Sequence, residues 1–469
     1  MGKKKFLFML LLMLGSLFII DIPSKAATML KTADFVYAVN ADRNTLTLIE
    51  VRRRIKAEEY HIKSEVEIGG KVYRVTGVDS FGIEKNLDVN KLYFDEGIIE
   101  IYPKLLIEAK ELYLPSTAKT IPRFKEDLTR LVISENNPYF YANGKVIYSK
   151  DKKRALYGNC RGKLVLPEGV EEVSDSAFVG AGITSVQLPK SLKRIGKKAF
   201  GYCKKLKKVT FSKNLERIDD YAFSNTRIRK IKLGKKFKRL GKGVFFETKD
   251  IVKLTIDKKN PYFKTIDDAI YSKNGKVLIE GAGVNKPITI PKKVKTIKKG
   301  AFLSNIRISH IKMGSNIKSL PSECFKNSGL ESIELPAKLK KIGKDCFSNC
   351  ELLRKIKLPS SLQSIQSRAF EGCGFKKLTI PEHVKFIGEN ALFCSVGVLI
   401  FKGIRPPVIK EQGSVENIIS NMEHEDEDYF PYAYYGIKPG IENVIVPKKS
   451  VEKYDKIFDK TMKFKTLDW

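Results

Sequence analysis

Seven cysteines and four histidines are the side chains in this 469-residue sequence with the widest chemical reach. A thiolate beside an imidazole is a nucleophile, four such ligands can hold zinc, and paired thiols can form disulfides. The spacing supports none of these. Cys346 and Cys350 stand four apart, but no second pair completes a zinc set. An odd number of cysteines argues against a disulfide framework. His61, His310, His383 and His424 are scattered. No HExxH, GxSxG or GxxxxGK[ST] motif occurs. The acidic run Glu423-His424-Glu425-Asp426-Glu427-Asp428 lacks the spaced ligands and the glycine of a calcium loop. The expectation is no catalytic residue, no metal and no cofactor.

The elements that carry these residues explain them better. From residue 177 the chain keeps a beat. Ala177-Phe178, Ala199-Phe200, Ala222-Phe223 and Val244-Phe245 come first; Ala301-Phe302, Cys324-Phe325, Cys346-Phe347, Ala369-Phe370 and Ala391-Leu392 resume it. Steps within each run are 22 or 23 residues. Cys324 and Cys346 replace the alanine and act as small hydrophobes. Cys203, Cys350 and Cys373 fall three residues after their phenylalanines, where other repeats place Thr226, Thr248, Asn305 and Ser328. Such a position suits a small polar group turned inward to satisfy backbone.

Between the pairs runs a fixed phrase, such as Leu330-x-x-Ile333-x-Leu335-Pro336-x-x-Leu339-x-x-Ile342-Gly343. Ile333 and Leu335 alternate with period two, so both face one side of a short strand. Pro336 ends that strand. The later Leu and Ile, three apart, read as one inward turn. Stacked copies predict an α/β repeat solenoid with one parallel β-sheet. Earlier strands, Leu92-x-Phe94, Leu112-x-Leu114, Leu131-x-Ile133 and Leu164-x-Leu166, fit less regularly. Two steps are long and carry like inserts, near 136–159 and 259–282, each read as a hairpin. They open with Asn137-Pro138-Tyr139-Phe140 and Asn260-Pro261-Tyr262-Phe263. Tyr139, Phe140, Tyr262 and Phe263 are candidate hairpin contacts.

The strand register also points residues outward. Lys208, Lys230, Lys253, His310, Ser332, Lys355 and Lys377 form one column. Thr210, Lys232, Thr255, Lys312, Glu334, Lys357 and Thr379 form the second. Like charges on adjacent strands repel, and an anionic polymer across the sheet relieves that repulsion. Lys208, Lys230, Lys232, Lys253, Lys312, Lys355, Lys357 and Lys377 are the candidate polyanion-binding residues.

The phrase Ala-Phe-x-x-Cys-x-x-Leu-x-x-Ile-x-Leu-Pro-x-x-Leu-x-x-Ile-Gly resembles the leucine-rich repeat of BspA-like, or treponemal-type, bacterial surface proteins; residues 343–373 match almost throughout. The inserts resemble the family's hairpins. The resemblance implies an N-terminal β cap over 33–80, a solenoid over 81–403 and a C-terminal cap over 404–469. It also implies surface display, adhesion to host matrix, cells or other microbes, and no enzymatic activity.

The two ends and the charge fit that picture. Lys3-Lys4-Lys5, the apolar run Phe6 to Ile20 and the small residues before a cut after Ala26 read as a signal peptide over 1–26. No wall-sorting signal stands at the C-terminus. The formal charge is +34. Such a field favours anionic partners: a glycan, a wall polymer or an anionic membrane held peripherally, with no specific nucleic acid expected. Two functions are expected: a secreted, surface-associated binding protein engaging a protein or anionic polymer, or a non-catalytic wall-associated structural protein held by its basic surface.

Overall fold

The computed structural model describes residues 28–79, 86–103, 105–248, 250–281, 287–409, 440–456 and 464–467. The expected signal peptide and the acidic run with His424 lie outside them. The chain forms two compact units, Met1–Lys145 and Val146–Trp469.

In the first unit, strands Met29–Lys31, Phe35–Val39, Thr45–Val51, Lys71–Val78 and Glu65–Ile68 lie side by side in that order. Strand Ile55–Ile62 leaves them and opens a parallel ladder with Leu87–Phe94, Glu111–Leu114 and Arg130–Ile133. The ladder therefore begins inside the span whose sequence resembles a cap. Leu92, Phe94, Leu112, Leu114, Leu131 and Ile133 all turn inward, as their alternation predicts.

The second unit is a solenoid with two parallel ladders per turn rather than one sheet. The expected strands form the first, as in Ile183–Gln187 beside Lys208–Thr210 and His310–Lys312 beside Ser332–Glu334. The second is built from the segment read as a turn: Glu172–Val173, Arg194–Ile195, Arg217–Ile218 and Arg239–Leu240 pair in series. Two residues suffice because each strand shows one inward Val, Ile or Leu and one outward polar group. The repeat-solenoid expectation holds, but the class is sheet rather than α/β. The described residues hold almost no helix, chiefly the single turn Val451–Asp455.

The core is a stack of phenylalanines. Phe178–Phe200 and Phe200–Phe223 have ring centroids 5.2 and 5.3 Å apart, nearly parallel. Phe302, Phe325, Phe347 and Phe370 repeat the stack at 5.2, 5.3 and 5.4 Å. Each ring is fully buried, and burying such a side chain stabilises by about 1.5–3 kcal/mol. The Ile-Gly of the phrase has a steric reason. A Cβ on Gly343 would lie 2.6 Å from Ser322 N in the turn below.

Between the two stacks the insert forms a three-stranded meander, Phe263–Ile266, Ala269–Ser272 and Val277–Gly281. Its last strand joins the second ladder by pairing with Thr296–Ile297. The insert interrupts the first ladder, whose strands Lys230–Leu233 and Lys253–Ile256 pair with each other while Ile288–Thr289 starts a separate sheet.

Candidate binding groove

Six of the seven thiols lie buried in the core. Cys203, Cys324, Cys346, Cys350, Cys373 and Cys394 are at most 1% exposed. Desolvation pushes Cys203, Cys350 and Cys394 up to about 12, and Cys324, Cys346 and Cys373 also move up. A buried thiol so far from ionisation is a poor nucleophile or ligand. Their hydrogen bonds give their role. Cys203, Cys350 and Cys373 donate to the carbonyls of Phe178, Phe325 and Phe347 in the preceding turn, at 3.0, 2.9 and 3.1 Å. Thr248 does the same to Phe223 at 2.8 Å. Among the described residues, no group of three or more His, Cys, Asp or Glu is arranged to hold a metal ion.

The outward face is different. Lys208, Lys230, Lys232, Lys253, Lys312, Lys355, Lys357 and Lys377 are all exposed. The register holds: Lys230 faces Lys253, and Lys312 faces Glu334. The structure divides the eight into two sets, because the insert stands between them. Lys312 is paired with Glu334 at 3.0 Å, and the column there is diluted by His310 and Ser332. The other set lines an open groove of about 2000 Å3, floored by strands Lys208–Thr210, Lys230–Leu233 and Lys253–Ile256 and walled by the insert.

That groove is lined by twelve lysines and one arginine against a single carboxylate, Asp257. None of these thirteen cations makes an ion pair among the described residues. Sequence reasoning found the sheet lysines but not Lys264 and Lys273, which the insert brings to the same groove. The wall is fixed to the floor by side chains. Thr265 Oγ1 accepts from Ile256 N at 3.1 Å, and Asp268 Oδ1 accepts from Leu254 N at 3.4 Å. These bonds cover the free edge of the last strand, a need of any sheet edge.

The aromatic candidates sit where the insert begins. Asn260 is fully buried and clamps that turn. Its Nδ2 donates to the carbonyls of Gly234 and Phe237 at 3.0 and 2.7 Å; its Oδ1 accepts from the amides of Tyr262 and Phe263, both at 2.8 Å. Phe263 consequently turns in against Phe237 at 5.8 Å, while Tyr262 stays half exposed. In the first unit Asn137 clamps its own segment in the same way, and Tyr139 is exposed with Phe140 half-buried.

The first unit's outward face carries no such excess. Glu59, Lys91, Glu111 and Arg130 alternate in sign across neighbouring strands. Lys91 binds Glu59 at 2.6 Å. Beside them His61, Tyr93 and Tyr113 stack at 4.5 and 4.1 Å, and Arg130 covers Tyr113 at 5.7 Å. Tyr113 donates to Glu111 at 2.5 Å, and this bond pushes the phenol up to about 12.

Stacked turns, each with an inward Ala-Phe pair and an outward-facing short strand, define a leucine-rich-repeat solenoid. Six copies of the BspA type leucine rich repeat region match residues 152–277 and 283–396, and the chain belongs to that family. No curated protein sequence matches the chain. Among solved structures it is similar to the pneumococcal vaccine antigen PcpA, at 19% identity over 95% of this chain and 100% of that one, with a TM-score of 0.45. A leucine rich cell surface protein from Faecalibacterium prausnitzii is similar at 19% identity over 81% and 90%, TM-score 0.42. A leucine-rich repeat protein from Bacteroides ovatus is similar at 18% over 94% and 100%, TM-score 0.35.

Proposed function

We propose that this chain is a surface-displayed, non-catalytic binding protein that engages an anionic polymer of host or cell-wall origin through the basic groove. The observation behind this reading is the groove itself: thirteen cations and one carboxylate, with no ion pair among the described residues. Some cations elsewhere are held by several carboxylates. Arg194 alone contacts Glu172, Asp175 and Asp219. Lysines that only solubilised the surface would not need to be gathered on one concave face. Long lysine stems reach a ligand's charges while their methylenes rest on the sheet.

The test uses two charge-reversed forms of the full chain. Substituting Lys208, Lys230, Lys232 and Lys253 by Glu should abolish retention on heparin and on purified cell wall at 150 mM salt, a condition in which exposed charges act over about 8 Å. Substituting Lys312, Lys355, Lys357 and Lys377 by Glu should lower it only modestly. Unchanged retention in the first form, with circular dichroism intact, would overturn the assignment.

A further inference from the structure

The groove has a definite length as well as a charge. Its floor is three neighbouring strands, Lys208–Thr210 at the end of one sheet and the pair Lys230–Leu233 and Lys253–Ile256 beside it, and the insert closes the far side. Turns stand about 4.8 Å apart and the lining reaches one turn further back, to Lys190, so a chain laid across these four turns meets the wall after about 15–20 Å. Beyond the wall the outward column changes character, with Lys312 already neutralised by Glu334. Within that short path the lining supplies thirteen cations and one carboxylate. Lys230 and Lys253 face each other across the strands, and Lys232 flanks them one pleat away. A ligand lying there therefore has cations on both sides.

We infer that the groove takes a short run of a densely charged linear polyanion and rejects sparsely charged chains of equal length. This rests on the reading that the groove binds anions. A chain with one anion every 3.4 Å or so, the phosphate spacing along one nucleic-acid strand, brings about five charges into the groove. A glycan with one carboxylate per disaccharide brings far fewer and leaves most of the lysines repelling one another. Each phosphate-type contact releases condensed counterions, so affinity rises steeply with the number of charges engaged. The lining favours lysine over arginine, and a lysine acts as a point charge without the planar fork that selects one oxyanion geometry. The groove reads charge density rather than the identity of the anionic group.

The experiment measures binding of the full chain to three probes by fluorescence anisotropy at 150 mM salt: inorganic polyphosphate of graded length, heparin oligosaccharides, and hyaluronan oligosaccharides of matched length. Polyphosphate and heparin should bind at least 100-fold more tightly than hyaluronan. The slope of log K against log salt should deepen with polyphosphate length and level off near −4 once the chain exceeds about 20 Å, the value for five or six engaged charges. Lys230→Glu with Lys253→Glu should reduce polyphosphate affinity at least 10-fold. Hyaluronan binding within 10-fold of heparin overturns the density selection while the anion-binding reading stands. A slope that keeps deepening with length overturns the short footprint. Failure of all three probes to bind overturns the anion-binding reading itself.

Discussion

The two units present outward strand faces built on the same register, yet they treat charge in opposite ways. On the first, Glu59, Lys91, Glu111 and Arg130 alternate, so each strand neutralises its neighbour. A stack of His61, Tyr93 and Tyr113 fills the next column. On the second, Lys208, Lys230 and Lys253 follow one another on successive strands and, among the described residues, none of them makes an ion pair. Opposite charges on facing strands contribute roughly 0.2–1 kcal/mol and like charges oppose pairing. The first face is complete by itself; the second is stable in spite of its lysines. A bare Lys-rich composition does not explain this contrast, because both faces belong to one chain. The same unit that tolerates the lysine groove also satisfies Arg194 with three carboxylates on its second ladder.

The largest effect expected concerns what the units share. Asn137 and Asn260 each make four hydrogen bonds from a fully buried side chain. Replacing Asn260 by Ala strands two carbonyls and two amides and should cost about 3–5 kcal/mol. Asn137→Ala should cost a similar amount in its own unit. Hydrogen exchange read by mass spectrometry separates the two, with amides of each unit losing protection only in its own variant. In Asn260→Ala the wall of the groove also loosens, so polyanion affinity should fall together with protection. Unequal losses would mean that the units differ in their scaffolds as well as in their faces.

Much of this was legible in the sequence, for identifiable reasons. The Ala-Phe beat places the phenylalanine stack because one residue per turn must fill the axis of the solenoid, and nothing else competes for that position. Alternation in Lys230-Ile231-Lys232-Leu233 fixes which lysines face out. The second ladder was not legible. Arg217–Ile218 is two residues long, too short for period two to register, so it reads as a turn. The groove was half legible. Its floor follows from strand register, but its wall comes from an insert whose fold-back depends on Asn260 reaching Gly234 and Phe237. Contacts of that range leave only the Asn-Pro-Tyr-Phe signature, which names the insert without showing where it packs. The break in the strand ladder at the insert, which isolates Lys312, Lys355, Lys357 and Lys377 from the groove, was hidden for the same reason.

A smaller effect sharpens the contrast within the second unit. Asp219 is nearly buried and is held by both Arg194 and Arg217. Arg194→Ala leaves Asp219 with one partner and frees Glu172 and Asp175. The expected loss is about 1.5–3 kcal/mol, the range for hydrogen bonds to charged groups. It should shrink only slightly in 0.5 M salt, because a partly buried network is weakly screened. Lys208→Ala, on the first ladder of the same turns, should change stability by less than about 0.5 kcal/mol. Urea midpoints of the two variants compare them directly, and a Lys208 loss as large as that of Arg194 would show that the groove lysines are structural.

The smallest expected effect is decided by its sign. Lys91 sits between Glu59 and Glu111, and the hydrogen bond it donates to Glu59, then that carboxylate's charge, raises the lysine above its ordinary value. A raised lysine contributes stability that is complete below the unfolded-state value and fades as pH climbs through the folded one. Lys91→Gln should therefore lower the first unit's urea midpoint at pH 7, with the difference from the parent vanishing above the lysine range. Lys230→Gln removes one cation facing Lys253, so it should raise the second unit's midpoint, through a stability gain of about 0.2–0.5 kcal/mol. Added polyanion should reverse that gain, since a ligand stabilises whichever form binds it more tightly. In saturating polyphosphate the parent should become the more stable of the two. If Lys230→Gln instead lowers the midpoint without ligand, the groove lysines have partners within the fold, and the contrast between the two faces fails.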